Sequence, residues 1–222
     1  MMNLNKHREF FDPTKDVTEA IHIIGVGAVG SSILEMLARL GVEEVHIYDF
    51  DNVEPHNITN QMFFNCQIGS PKEEASACIA NMINPSMKII KHGKYTNQQL
   101  AGYVFLCVDN IELRKDICEE NYYNNYIKGI FDIRMRLTDA QGYCANWQNR
   151  KEKDNLLKTM NFTHDEAKET TPLSACGTSL NVTPTVRIIV SLQIANWINF
   201  VKEKEYKKVI LIDAFSYDIT TF

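Results

Sequence analysis

Three glycines, Gly25, Gly27 and Gly30, stand in G-x-G-x-x-G spacing within "IHIIGVGAVGSS", an apolar run that leads into residues of helical periodicity. Between a strand and a helix, such glycines permit a tight turn, close approach of a phosphate to the backbone and close helix packing, while the helix start presents free N–H groups to an anion. Asp49 follows about 20 residues on, at the end of a second apolar run, where a carboxylate takes ribose hydroxyls. These four residues specify a nucleotide site but serve NAD and ATP equally well.

Three later stretches separate the two: "DFDNVEPHNITNQMFF", "IGSPKEEASACIANMINP" and "CVDNIELRKDI". They bring Asp51, the amides Asn57 and Gln61, Lys72 at a helix start, and Asp109 at a strand end. Hydride transfer has no need of this set. A nucleoside triphosphate does, because lysine acts as a point charge on phosphate, an amide as a donor, and a carboxylate oxygen suits Mg²⁺.

The elements that must position these residues alternate. "IHII", "EEVHIYDFD", "MKIIKHG", "YVFLCVDN" and "YIKGIFDIRM" read as strands, and "SSILEMLARL" before Gly41, "KEEASACIANMIN" and "IELRKDICEENYYNNY" as helices. This pattern predicts an α/β, Rossmann-like, mostly parallel sheet with helices on both faces, and with "YIKGIFDIRM" towards its far side. In such sheets ligands sit beyond the carboxyl ends of the strands, so Asp49, Asp51, Asp109 and Asp132 share one rim. The charged segment 149–172 reads as a mobile crossover or lid with one short helix. Val186, Val190, Ile194, Trp197 and Val201 then mark a helix packed on the sheet, and "YKKVILIDAF" a last strand. No linker divides residues 1–222, which are expected to form a single domain.

With these motifs in order, the sequence resembles the ThiF/MoeB/HesA family, the bacterial relatives of ubiquitin-activating enzymes. The family pattern is a glycine loop, D-x-D-x-V-x-x-x-N-x-x-R-Q, G-x-x-K, and a strand ending in Asp-Asn. This chain shows "GVGAVG", "DFDNVEPHNITNQ", "GSPK", "NP" and "VDN", and "RIIVSLQIANWI" looks like the family's late helix. The resemblance covers nearly the whole chain and is closest to the short phage- and plasmid-borne members. It implies an adenylation domain in which Asp49 binds ribose, Asn57 and Lys72 bind phosphates, Asp109 binds Mg²⁺, Gln61 lines the pocket and Asp51 orders it. The implied reaction is attack by the C-terminal carboxylate of a ubiquitin-like protein or peptide on the α-phosphorus of ATP, giving an acyl-adenylate and pyrophosphate. It also implies a homodimer in which the N-terminal "NKHREFFDP" extends Arg8 into the neighbouring subunit.

Two departures qualify the pattern. Asn60 stands where the family carries arginine before Gln61. A hydrogen bond to a charged group contributes about 1.5–3 kcal/mol, so its loss slows the reaction on the order of tenfold to a hundredfold unless another cation substitutes. Arg8, Arg134 and Arg136 are the candidates. The family's C-x-x-C zinc pairs are also missing, with no such pair among the six cysteines. Cys176, just after the charged segment, reads either as a small buried residue or, by the resemblance, as an acceptor of the activated acyl group; the other five read as structural. The departures favour as alternative a non-catalytic nucleotide-binding relative acting as a protein-interaction module; an NAD-dependent oxidoreductase is the remaining one.

Bulk properties narrow the setting. A formal charge of -5 argues against a nucleic-acid surface. The apolar runs "YVFLCV" and "KVILI" fall far short of the ~20 residues that span a bilayer, and the polar start is no signal-peptide core. A cytoplasmic chain without membrane contact is expected.

Overall fold

The computed structural model describes residues 2–163, 165–166 and 180–222. The fully buried strand β1 (Ile21–Ile24) feeds the glycine turn and helix α2 (Ala28–Leu40), which Gly41 ends in the left-handed conformation at φ 82°. A short helix α1 (Pro13–Asp16), capped by the Asp12 side chain, precedes them. Next come β2 (Glu44–Tyr48), two 3₁₀ turns (Pro55–Thr59 and Asn65–Gln67), α3 (Lys72–Ile83), β3 (Lys88–Lys91), β4 (Gly102–Leu106), α4 (Ile111–Glu120) and β5 (Ile127–Met135). The remainder is β6 (Asp139–Asn146), α5 (Arg150–Lys158), α6 (Thr183–Val201), β7 (Val209–Asp213) and β8 (Asp218–Thr221).

All eight strands form one sheet in the order β3-β2-β1-β4-β5-β6-β7-β8. The β3 to β5 half is parallel, and β6, β7 and β8 extend it antiparallel. Helices cover both faces, as the sequence predicts. Strand alternation assigns Ile21 and Ile23 to a core shared with α2 and α6, where Trp197 is fully buried. Ile24, Val104 and Leu106 fall to the other core, under α4 and α5 with Trp147. The late helix buries Val186, Val190, Ile194 and Trp197 as their spacing indicates, and each such side chain contributes roughly 1.5–3 kcal/mol.

Three sequence-based expectations are corrected. β5 is not near the far side: three antiparallel strands lie beyond it. Residues 149–160 are not a free lid: the one short helix expected there is α5, which docks on the sheet with Leu156, and Met160 after it, buried in the second core. Two of its charged side chains are held by the core around them, Glu152 accepting from the Asn146 N–H and the Tyr206 hydroxyl, and Lys153 donating to the Tyr122 carbonyl. Of the cysteines, Cys118 and Cys144 are buried, but Cys66 and Cys78 are exposed and are not part of the core. Cys176 and residues 167–172 of the expected lid lie outside the described residues.

Candidate functional site

The rim at the carboxyl ends of the parallel strands is built by register. Ile24 of β1 pairs with Tyr48 of β2 and with Leu106 of β4, so the three following turns leave the sheet at one level. The Gly25 turn has φ 91°, and a Cβ there would lie 2.9 Å from the Val108 N, so glycine lets the β1 and β4 turns touch. This contact sets Asp109, exposed and next in chain after Val108, beside the glycine turn. Gly30 serves packing instead, since a Cβ there would lie 1.9 Å from the Gly25 carbonyl oxygen and its absence lets α2 start against the turn. Gly27 caps α2 without a side chain, and a Cβ on it would meet nothing within 4 Å. The cradle in front of Gly27 is open, and the first N–H groups of α2 face it.

Asp49 closes the far side of the turn. Its Oδ2 accepts the Val26 N–H at 2.8 Å and its Oδ1 the Asp51 N–H at 3.0 Å. Burial raises the Asp49 carboxyl above its ordinary value, opposed by these two N–H groups and by the charge of Lys72. Asp51 turns outward to an ion pair with Lys72, Nζ to Oδ2 at 2.9 Å. Lys72 is itself buried as the first residue of α3, held there by the Asn52–Pro71 bridge and by its N–H on the Asp51 carbonyl.

Asn57 and Gln61 sit on the segment that crosses in front of α2. The Asn57 Oδ1 accepts the Glu54 N–H at 2.9 Å, which commits the carbonyl oxygen to the turn and leaves the NH₂ end of this buried amide as donor. Met62, after Gln61, is tied by its N–H to the Ser31 hydroxyl in the first turn of α2. The Gln61 Oε1 and the Asn60 Oδ1 are both buried without a hydrogen-bond partner. Such orphaned amide oxygens are costly unless a ligand or partner supplies a donor.

The candidate cations are placed differently. Arg134 is engaged with the fully buried Asp132, with the Thr159 carbonyl at 2.7 Å and hydroxyl at 2.9 Å, and with the Tyr143 ring. Arg8 pairs with Asp12 on its own chain, in a segment that packs Leu4 against Gly41 and Phe11 against Trp197. That is the other end of α2 from the glycine turn, so Arg8 is not part of its own chain's site. Arg136 offers its N–H to the Asp139 carbonyl in the β5–β6 turn.

One residue absent from the sequence-based set is prominent here. Arg114 is buried in α4 and donates to the Val108 carbonyl at 2.7 Å, to the Leu106 carbonyl at 3.0 Å and to the Ile133 carbonyl at 3.0 Å, besides pairing with Asp132. It clamps the turn that carries Asp109 to β5. Its signal in sequence is an arginine on the same helical face as Ile111, Ile117 and Cys118.

The fold recurs in known proteins. A model of the ThiF family matches residues 15–222. The chain belongs to the ThiF family. Among its curated relatives, ubiquitin-like modifier-activating enzyme 5 of Drosophila virilis is 33% identical over 134 residues, covering 50% of this chain and 34% of that protein. The Aedes aegypti protein of the same name is 32% identical over 134 residues, with the same coverage. Among solved structures, E. coli MccB with ATP superposes with a TM-score of 0.71 at 16% identity, over 95% of this chain and 65% of MccB. PaaA gives a TM-score of 0.69 at 12% identity, over 92% of this chain and 64% of PaaA. The matches thus span about a third of the curated relatives and just under two thirds of the solved chains. At these identities the structural likeness establishes a shared fold.

Proposed function

We propose that this ThiF-family chain is an ATP- and Mg²⁺-dependent adenylyltransferase acting on the C-terminal carboxylate of a ubiquitin-like protein or peptide, with acyl-adenylate and pyrophosphate as products. The observation that carries the reading is the convergence of the glycine turn, Asp49, the Asp51–Lys72 pair and the Asp109 turn on one rim. Family membership supports the reaction class, and MccB has been crystallised with ATP and with MccA.

The residues fit a nucleoside triphosphate. Asp49 holds the ribose hydroxyls, the open face of Gly27 and the α2 N–H groups receive phosphate, and Asn57 and Lys72 donate to the phosphate oxygens. Lys72 is pre-oriented by Asp51, and the ammonium absorbs part of the charge that builds when an anionic carboxylate approaches an anionic phosphate. Asp109 would supply the one protein carboxylate for Mg²⁺, the remaining ligands being phosphate oxygens and water. When bound, the metal neutralises phosphate charge. Arg114 holds the Asp109 turn in place.

Partner-dependent exchange of labelled pyrophosphate into ATP tests the proposal. Synthetic peptides with free C-termini should support exchange, and the same peptides amidated should not. Asn60, whose amide oxygen is buried without a partner where the family carries arginine, favours a second reading: a nucleotide-gated interaction module without turnover. ATP binding with no exchange for any free carboxylate would select it. A homodimer is part of the proposal; a chain that stays monomeric at high concentration contradicts that part.

A further inference from the structure

Glu73 follows Lys72 and engages backbone where Lys72 engages a carboxylate. Its Oε1 accepts three backbone N–H groups: Asp49 at 3.3 Å, His92 at 3.1 Å and Gly93 at 2.9 Å. The first belongs to the turn leaving β2 and the other two to the turn leaving β3, so one carboxylate ties two strand ends together beside the ribose-binding position. Asp49 is thereby fixed at three backbone points, its own N–H on Glu73 and its two oxygens on Val26 and Asp51. Each carboxylate oxygen has two lone-pair sites, so one on each oxygen of Asp49 is left over. Two acceptors held at fixed spacing suit the adjacent 2′- and 3′-hydroxyls of a ribose.

We propose that Glu73 is a positioning residue that aims the Asp49 carboxylate at the ribose, and that the protein's discrimination between ATP and 2′-deoxyATP depends on it. The inference rests on the ATP reading above. A tie between β2 and β3 that merely held the fold would affect both nucleotides alike. An aiming role affects the ribonucleotide more, because 2′-deoxyATP has one hydroxyl fewer to lose. Hydrogen bonds to an ionised acceptor are roughly twice as strong as neutral ones, so the isosteric Glu73→Gln loosens the clamp while keeping its shape.

The test is calorimetric binding of ATP and 2′-deoxyATP, each with Mg²⁺, to the full chain and to Glu73→Gln and Glu73→Ala. Glu73→Gln is expected to weaken ATP about fivefold, less than the roughly tenfold or more of a charge-assisted hydrogen bond lost to the ligand itself because Glu73 acts on the ribose only through Asp49, with 2′-deoxyATP changed about twofold or less. Glu73→Ala should narrow the preference further. A preference for ATP unchanged from that of the parent chain, in whichever variants melt as folded proteins, overturns the inference. Failure of the parent chain to bind ATP overturns the adenylation reading first and this inference with it; normal ATP binding with an unmoved preference overturns this inference alone.

Discussion

Lys72 Nζ lies 2.9 Å from Asp51 Oδ2, and the Lys72 N–H donates to the Asp51 carbonyl at the same distance. Side chain and backbone together fix a cation on the rim that the glycine turn shares. Lys72→Met keeps the apolar stem and removes the charge. It is expected to slow pyrophosphate exchange about tenfold to a hundredfold, the range for one hydrogen bond to a charged group. The melting temperature should move little, because Met fills the space of the buried Lys72 stem and removes its desolvated charge, while Asp51, with its side chain 52% exposed, stays solvated without its partner. Exchange kinetics and a thermal melt on one preparation check both halves.

Two glycines of the same motif should behave oppositely. Gly27→Ala adds a methyl where nothing lies within 4 Å, so the protein should fold normally and bind ATP more weakly as the methyl enters the cradle. Gly30→Ala forces a methyl against the Gly25 carbonyl oxygen and should destabilise the fold by about 1–3 kcal/mol or more. Urea denaturation and ATP titration of the pair separate the effects. Equal stability of the two variants contradicts the assignment.

Arg114 and Asp132 form an ion pair with side chains 6% and 0% exposed. Breaking a buried pair from one side typically costs 3–5 kcal/mol, so Arg114→Met is expected to lower stability by about that much, read as a shift in the urea midpoint. Arg114→Lys keeps the charge but cannot reach the Leu106, Val108 and Ile133 carbonyls together. It should raise the Mg²⁺ concentration needed for ATP binding, since the Asp109 turn loosens.

His22 sets a pH dependence of stability. The Ala101 N–H donates to its Nε2, so Nδ1 carries the proton and donates to the Tyr48 hydroxyl at 2.9 Å. Burial, and then the neighbouring His46 and His92, pull its pKa from 6.5 to about 3. Between those values the unfolded chain binds the extra proton and the folded chain does not, so stability falls as pH drops from 6.5 towards 3. His22→Asn should be less stable at neutral pH but show a shallower slope across that window in urea titrations. An unchanged slope would show that His22 is not a source of the acid sensitivity.

The parallel half of the fold, and the turns that carry the candidate site residues, were legible because their signals are local. Gly25, Gly27 and Gly30 sit between an apolar strand and an amphipathic helix, and each acid or lysine occupies a turn at a predicted element end. β6 was hidden because its inward positions are small: Ala140, Gly142 and Cys144 carry little hydrophobic contrast, and Gly142 is small because Gln193 packs on it, an added Cβ lying 2.6 Å from Gln193 Oε1. The short helix α5 was expected, but its docking was hidden because Glu152 and Lys153 look solvated until their partners on β6, Tyr206 and Tyr122 are in place. The clamps formed by Arg114 and Glu73 depend on which carbonyls and N–H groups lie opposite, a property of packed strand ends that no spacing encodes.

Adenylation as proposed requires that Lys72 and Asp109, from separate turns, meet at one triphosphate. Calorimetric titration of ATP into the parent chain, Lys72→Met and Asp109→Asn, with and without Mg²⁺, tests this most directly. Tight binding to the parent that depends on Mg²⁺ is expected, with weakened affinity in Lys72→Met and loss of the Mg²⁺ dependence in Asp109→Asn. Parent-like, Mg²⁺-dependent affinity in both variants would contradict it.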